Sequence, residues 1–120
     1  MKKDKERENR IAMEIVVDAY RAEEQAMGWY YYLQDTLKFP FLAHCIAKRI
    51  ISPLQIGDEV EITSMAPESE CEHEIFVMMP WERSGLAVPL MQLKMIHGDE
   101  KTKEAVEDWC YWVGMGYKFG

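Results

Sequence analysis

The stretch Gly57-Asp58-Glu59-Val60-Glu61-Ile62-Thr63 alternates Val60 and Ile62 with Glu59, Glu61 and Thr63. Period-two alternation sends one set of side chains to each face of an extended chain. Residues 59–65 therefore read as a strand with one face in water. Gly57-Asp58 before it and Ala66-Pro67-Glu68-Ser69 after it are turn and loop chemistry. Working outward, residues 71–81 read as another strand, with Cys71, His73, Ile75, Val77 and Met79 opposite Glu72, Glu74, Phe76 and Met78. Glu82-Arg83-Ser84-Gly85 is a hairpin turn. Leu86-Ala87-Val88-Pro89-Leu90 is a short strand whose proline belongs at an edge or rim. Residues 92–96 make a last short strand or turn. Upstream, residues 39–51 form a strand with Phe41, Ala43, Cys45 and Ala47 on one face, closed by Ser52-Pro53-Leu54.

Helical periodicity flanks this β-rich middle. Ile11, Ile15 and Ala19 recur at four-residue spacing, and Asp18 caps a second helix or lies in a kink. Ala26, Tyr30, Leu33 and Leu37 make a clearer face, with Glu23 and Glu24 in the first turn, where carboxylates suit the helix dipole. Pro40 ends this helix and forces Phe39 to be extended. After Asp99, a second capping residue, Ala105, Trp109 and Trp112 share a stripe that Gly114 and Gly116 terminate. The expected architecture is α+β: two N-terminal helices, four to five short antiparallel strands, one C-terminal helix. Short strands joined by tight turns protect their edges by closing, so the middle is expected to be a small SH3-like barrel. The chain, residues 1–120, is expected to be one domain. Residues 1–10 would be a frayed charged tail, 11–37 helical, 39–96 the barrel and 99–113 the last helix.

The totals restrict function. Fourteen basic residues face 21 acidic ones, a formal charge of −7. Nucleic-acid affinity depends on cations that displace counterions, so this balance speaks against a nucleic-acid partner and for cations. No apolar run approaches the roughly 20 residues that span a bilayer, so no membrane partner is expected. The charged N-terminus leads into no signal-type segment, and the expected location is the cytoplasm. Cys45, Cys71 and Cys110 lack any C-x-x-C pair, and buried thiols are the ordinary reading there.

No enzymatic signature emerges. Ser52, Ser64, Ser69 and Ser84 lie in turns or loops, none in a nucleophile elbow. His44 and Cys45 are strand neighbours and point to opposite faces. Cys71 and His73 share a face without a third partner. Zinc sites present closely paired ligands, and only Cys71-x-His73 comes near. Gly114-x-Gly116 ends a helix and cradles no phosphate. The run Trp29-Tyr30-Tyr31-Tyr32 has no basic neighbours of the kind base-stacking surfaces carry.

Carboxylates remain. Calcium takes six to eight oxygen ligands from carboxylates, carbonyls and water. Three places offer acidic side chains. At the exit of the second helix, Asp35 stands among carbonyls that lack intrahelical partners. Glu68, Glu70, Glu72 and Glu74 form an i, i+2 row. Glu100, Glu104 and either Glu107 or Asp108 line the last helix. None matches an EF-hand loop, and by spacing alone each reads first as a solvated face.

The segments Met13-Glu14-Ile15-Val16-Val17-Asp18-Ala19-Tyr20, Gly28-Trp29-Tyr30-Tyr31-Tyr32-Leu33, Phe39-Pro40-Phe41, Ser52-Pro53-Leu54 and Glu107-Asp108-Trp109-Cys110-Tyr111-Trp112 resemble the bacterial CcbP-type calcium-binding family. The resemblance runs from about Arg10 to Phe119. It implies a small calcium-ion binder without EF-hands that buffers, sequesters or senses Ca²⁺. It also implies that the aspartate before Phe-Pro-Phe, here Asp35, is a principal ligand. On this reading Asp35, with carbonyls of Thr36 and Leu37, holds one ion, and Glu24 joins only if the chain folds back. A weaker second site forms around Glu70 and Glu72. Partial neutralisation of the −7 charge would favour calcium-promoted self-association. The alternatives are an SH3-like protein-interaction module without metal and a zinc-binding regulatory domain using Cys71 and His73.

Overall fold

A computed structural model describes residues 3–119. Helix α1 spans Lys5–Arg10 and is capped by Asp4, whose carboxylate accepts from the Arg7 amide. It runs on into a wider π-helical turn, Ile11–Ile15, closed by the Val16 amide on the Ile11 carbonyl. Helix α2 spans Ala22–Thr36. Strands β1 (Phe41–Cys45), β2 (Glu59–Ile62), β3 (Ser64–Met65), β4 (Phe76–Met79), β5 (Leu86–Pro89) and β6 (Leu93–His97) follow, then α3 (Glu100–Gly114).

The frayed tail expected over residues 1–10 is corrected from Lys5 onward, where the chain is helix, and its first two residues lie outside the described ones. Its arginines find carboxylates on α3, as described below, and Asp4 and Glu8 are gripped by tyrosine. The Asp4 amide donates to the Tyr111 hydroxyl at 2.8 Å, and that hydroxyl donates to Glu8 at 2.8 Å. Asp18 caps nothing. It sits at φ 55 in the bend between the π turn and α2, and Arg21 is the residue before α2. Glu24 accepts from the Arg21 amide at 3.1 Å, so the acidic first turn serves its own helix end. Gly28 lets α2 meet the π turn, because a Cβ there would sit 2.5 Å from the Ile15 carbonyl oxygen.

The strands do not form one closed barrel among the described residues. They divide into two antiparallel three-stranded sheets, β2-β1-β6 and β3-β4-β5. The alternation read from residues 59–62 holds, with Val60 and Ile62 buried and Glu59 and Glu61 exposed. It breaks at Ser64, just after the chain passes at Thr63 from one sheet to the other. In β1, Phe41, Ala43 and Cys45 are buried as the pattern requires. The strand ends at Cys45 rather than at residue 51.

The strand expected over 71–81 begins only at Phe76. Pro67 opens a single 3₁₀ turn, Glu68–Cys71, sealed by the Glu70 amide on the Pro67 carbonyl. The Cys71 sulfur then accepts the Phe76 amide at 3.4 Å. Period-two alternation of Glu68, Glu70, Glu72 and Glu74 was present without a strand to carry it. Gly85, at φ 78, completes the β4–β5 hairpin, its amide bonded to the Trp81 carbonyl.

Between the sheets and the helices lies an aromatic core. Trp29 of α2 is fully buried and meets Trp109 of α3 edge to face, centroids 5.1 Å apart. Trp112 stacks on Trp109 at 5.6 Å, and Phe119 folds back onto both rings. Packing of this kind fixes α2 against α3 and so fixes where α2 ends.

Candidate metal site

At the end of α2, the Leu37 amide donates to the Leu33 carbonyl at 2.8 Å. The backbone then turns extended, with Leu37 at φ −70, ψ 128. The next amide, of Lys38, leaves the helix entirely and donates to Thr102 Oγ1 on α3 at 3.0 Å. The carbonyls of Gln34, Asp35 and Thr36 therefore have no intrahelical donor. They carry the negative end of the helix dipole. Asp35, exposed, adds a full negative charge to that end, and the last turn contains no basic residue. Among the described residues its carboxylate has no hydrogen-bond or ion-pair partner. Thr36 is half-buried and the Leu37 side chain is buried in the core, so Leu37 offers only its carbonyl.

The nearest cation in sequence is already engaged: Lys38 Nζ lies 3.4 Å from Asp99 Oδ2. Asp99 caps α3, accepting the Thr102 amide at 2.9 Å. Bonds from the Thr102 hydroxyl and amide, with Lys38 beside them, hold the Asp99 carboxyl below its ordinary range.

Glu24 lies about three turns away at the other end of α2, roughly 16 Å at about 1.5 Å per residue. One ion cannot bridge Glu24 and Asp35. The row from 68 to 74 is dispersed. Glu68 accepts from the Tyr31 hydroxyl. Glu74 is held bidentate by Arg49 at 2.7 and 3.0 Å. Glu70 and Glu72 stay exposed and, among the described residues, free of ion pairs. Glu72 and Glu68, with Glu23 and His73, rim a groove of about 500 Å³ floored by Ala26, Met27 and Tyr30.

Cys71 is buried, and burial pushes its thiol up, against zinc ligation with the exposed His73. Among the described residues no three of His, Cys, Asp and Glu converge as a metal-binding group.

The third carboxylate stripe, on α3, is neutralised from within. Asp108 is wholly buried. Arg10 grips it at 2.6 and 3.0 Å, and the Tyr32 hydroxyl donates to it at 3.0 Å. Arg7 Nε lies 3.1 Å from Asp108 Oδ1, an ion pair rather than an aligned hydrogen bond. Hydrogen bonding to Asp108 raises the Arg10 guanidinium, and burial together with the Asp108 charge raises the Tyr32 hydroxyl. Arg7 and Arg10 also reach Glu107 at 3.6 Å and Glu104 at 3.7 Å. The sequence reading missed this clasp. Its only local signal was an arginine pair at i, i+3 in a segment read as a tail.

A family model described as calcium binding, of CcbP type, matches residues 9–113. Two solved structures share the fold along nearly the whole chain. One is described as "The crystal structure of Anabaena CcbP", with TM-score 0.85 and 41% identity, covering 99% of this chain and 98% of that one. The other, "Calcium binding protein in the calcium-binding form", has TM-score 0.84 and 40% identity, covering 98% and 96%. No curated protein matches.

Proposed function

The chain belongs to the CcbP family of calcium-binding proteins, and from that premise we propose that its calcium sits at the exit of α2. The supporting observation is electrostatic. Asp35 places a free carboxylate on the negative end of a helix dipole, beside backbone oxygens without donors and no cation of its own turn. Such a carboxylate costs its helix about 0.3–1 kcal/mol. A divalent cation turns that cost into attraction. The donors are all oxygen, which suits a hard ion. Asp35 and the carbonyls of Thr36 and Leu37 hold the ion, and water completes its shell.

A site with one carboxylate is open and weak. Ligand charge sets calcium affinity, and poorly charged sites work at about 10⁻⁴–10⁻³ M. That range fits buffering better than sensing of trace calcium. Three free cysteines fit a reducing compartment, and a cytoplasmic buffer is the reading they favour. Glu70 and Glu72 form a second, weaker site on the 3₁₀ turn. Filling both reduces the −7 charge and favours self-association.

Calorimetric titration of metal-free protein with calcium, beside magnesium, tests this. Asp35→Asn is expected to remove the main binding event. Glu70→Gln with Glu72→Gln is expected to remove only a weaker one. Light scattering that stays flat while calorimetry shows the sites filling would refute the self-association.

A further inference from the structure

We propose that Thr102 is a positioning residue for the calcium site, an inference that rests on the site lying at the α2 exit. Thr102 is fully buried where that exit meets the first turn of α3. Its Oγ1 accepts the Lys38 amide at 3.0 Å, and its own amide is held by Asp99 at 2.9 Å. Lys38 returns to the same Asp99 through its ammonium. The junction thus anchors Lys38 through its backbone amide, with a solvent-exposed ion pair from its side chain beside it.

The consequence follows from peptide planarity. The Lys38 N–H and the Leu37 C=O belong to one rigid group. The Leu37–Lys38 bond is trans, since only Phe39–Pro40 is cis. In a trans peptide the N–H and C=O bonds point in opposite directions. Anchoring the Lys38 N–H on Thr102 therefore aims the Leu37 carbonyl oxygen away from α3. That oxygen is one of the proposed ligands. Its direction is set by a side chain that never touches the ion. An oxygen already aimed need not be ordered when the ion arrives, and preorganisation of this kind appears directly as affinity.

Thr102→Val keeps the shape and removes the acceptor, whereas Thr102→Ser keeps the hydroxyl. Calcium titrations of both variants, with Asp35→Asn alongside and a thermal melt of each metal-free protein, form the test. The expected result is a loss of affinity of roughly three- to tenfold in Thr102→Val, the scale of one lost hydrogen bond. Thr102→Ser is expected to stay near the unmodified protein, and Asp35→Asn to abolish the event. A Thr102→Val protein that melts lower yet binds calcium normally, while Asp35→Asn does not bind, overturns the positioning role alone. Unchanged binding in Asp35→Asn overturns the site and this inference with it. Should Thr102→Val not fold, amide exchange in the unmodified calcium-free chain decides. A protected Lys38 amide supports the anchor, and one exchanging at the unprotected rate overturns it.

Discussion

Asp108 and Asp35 are both aspartates on helices of the same aromatic core, and they are treated in opposite ways. Asp108 is removed from water completely and is answered by Arg10, Arg7 and Tyr32. Asp35 stays in water at the wrong end of a helix, with no partner among the described residues. Tyr32 and Asp35 lie one turn apart on α2, so the same helix serves both. The protein neutralises one carboxylate with its own cations and leaves the other, on the proposed reading, for an ion from solution. The difference separates charge that builds the fold from charge available for function.

The comparison breaks most readily at its buried end. Asp108→Ala strips the partner from two arginines, and loss of one member of a buried ionic cluster costs roughly 3–5 kcal/mol. Urea denaturation should register this, with α1 becoming accessible to protease. A smaller loss of about 1–3 kcal/mol is expected for Gly28→Ala, because the added methyl overpacks against the Ile15 carbonyl. It would push the π turn, and α1 behind it, off α2. Tyr32→Phe deletes one of the bonds on Asp108 and should cost about 1 kcal/mol. An unchanged midpoint there would mean that the arginines alone hold the carboxylate.

At the open end the expected sign reverses. Asp35→Asn should stabilise the metal-free protein by about 0.3–1 kcal/mol, by relieving the helix terminus, while abolishing calcium uptake. A mutation that raises stability and removes binding distinguishes a functional carboxylate from a structural one. A destabilised Asp35→Asn protein would erase the contrast with Asp108. The junction beside it has a pH signature. The Asp99 carboxyl is lower in the folded chain than its ordinary 3.8. A depressed carboxylate contributes stability that is complete above that value and fades as pH falls toward the folded value. Acid titration of the Lys38 amide's protection should show the α2–α3 junction loosening only below about pH 4.

Much of this was legible from local patterns. Val60 and Ile62 announced β2, Asp99 announced the start of α3, and the acidic pair Glu23 and Glu24 announced the start of α2. The aromatic segments carried the family, and with it calcium. Other readings failed because a local pattern had two solutions. The glutamates at 68, 70, 72 and 74 alternate as a strand would, but Pro67 and the Cys71–Phe76 bond make a 3₁₀ turn there. The charged segment before Ile11 looked like a tail because its partner carboxylate lies 98 residues away from Arg10.

By itself, then, the order of residues determined the type of most elements, the acidic balance, and an aspartate at a helix exit. Those depend on periodicity, capping and composition, which act over one or two turns of chain. Only tertiary structure decided which carboxylates stay free. Arg10 removes Asp108, Arg49 removes Glu74, and Thr102, 64 residues from Lys38, fixes the backbone beside Asp35. Charges are cancelled, and carbonyls aimed, by whatever the fold brings within hydrogen-bond distance, and no spacing along the chain encodes that proximity.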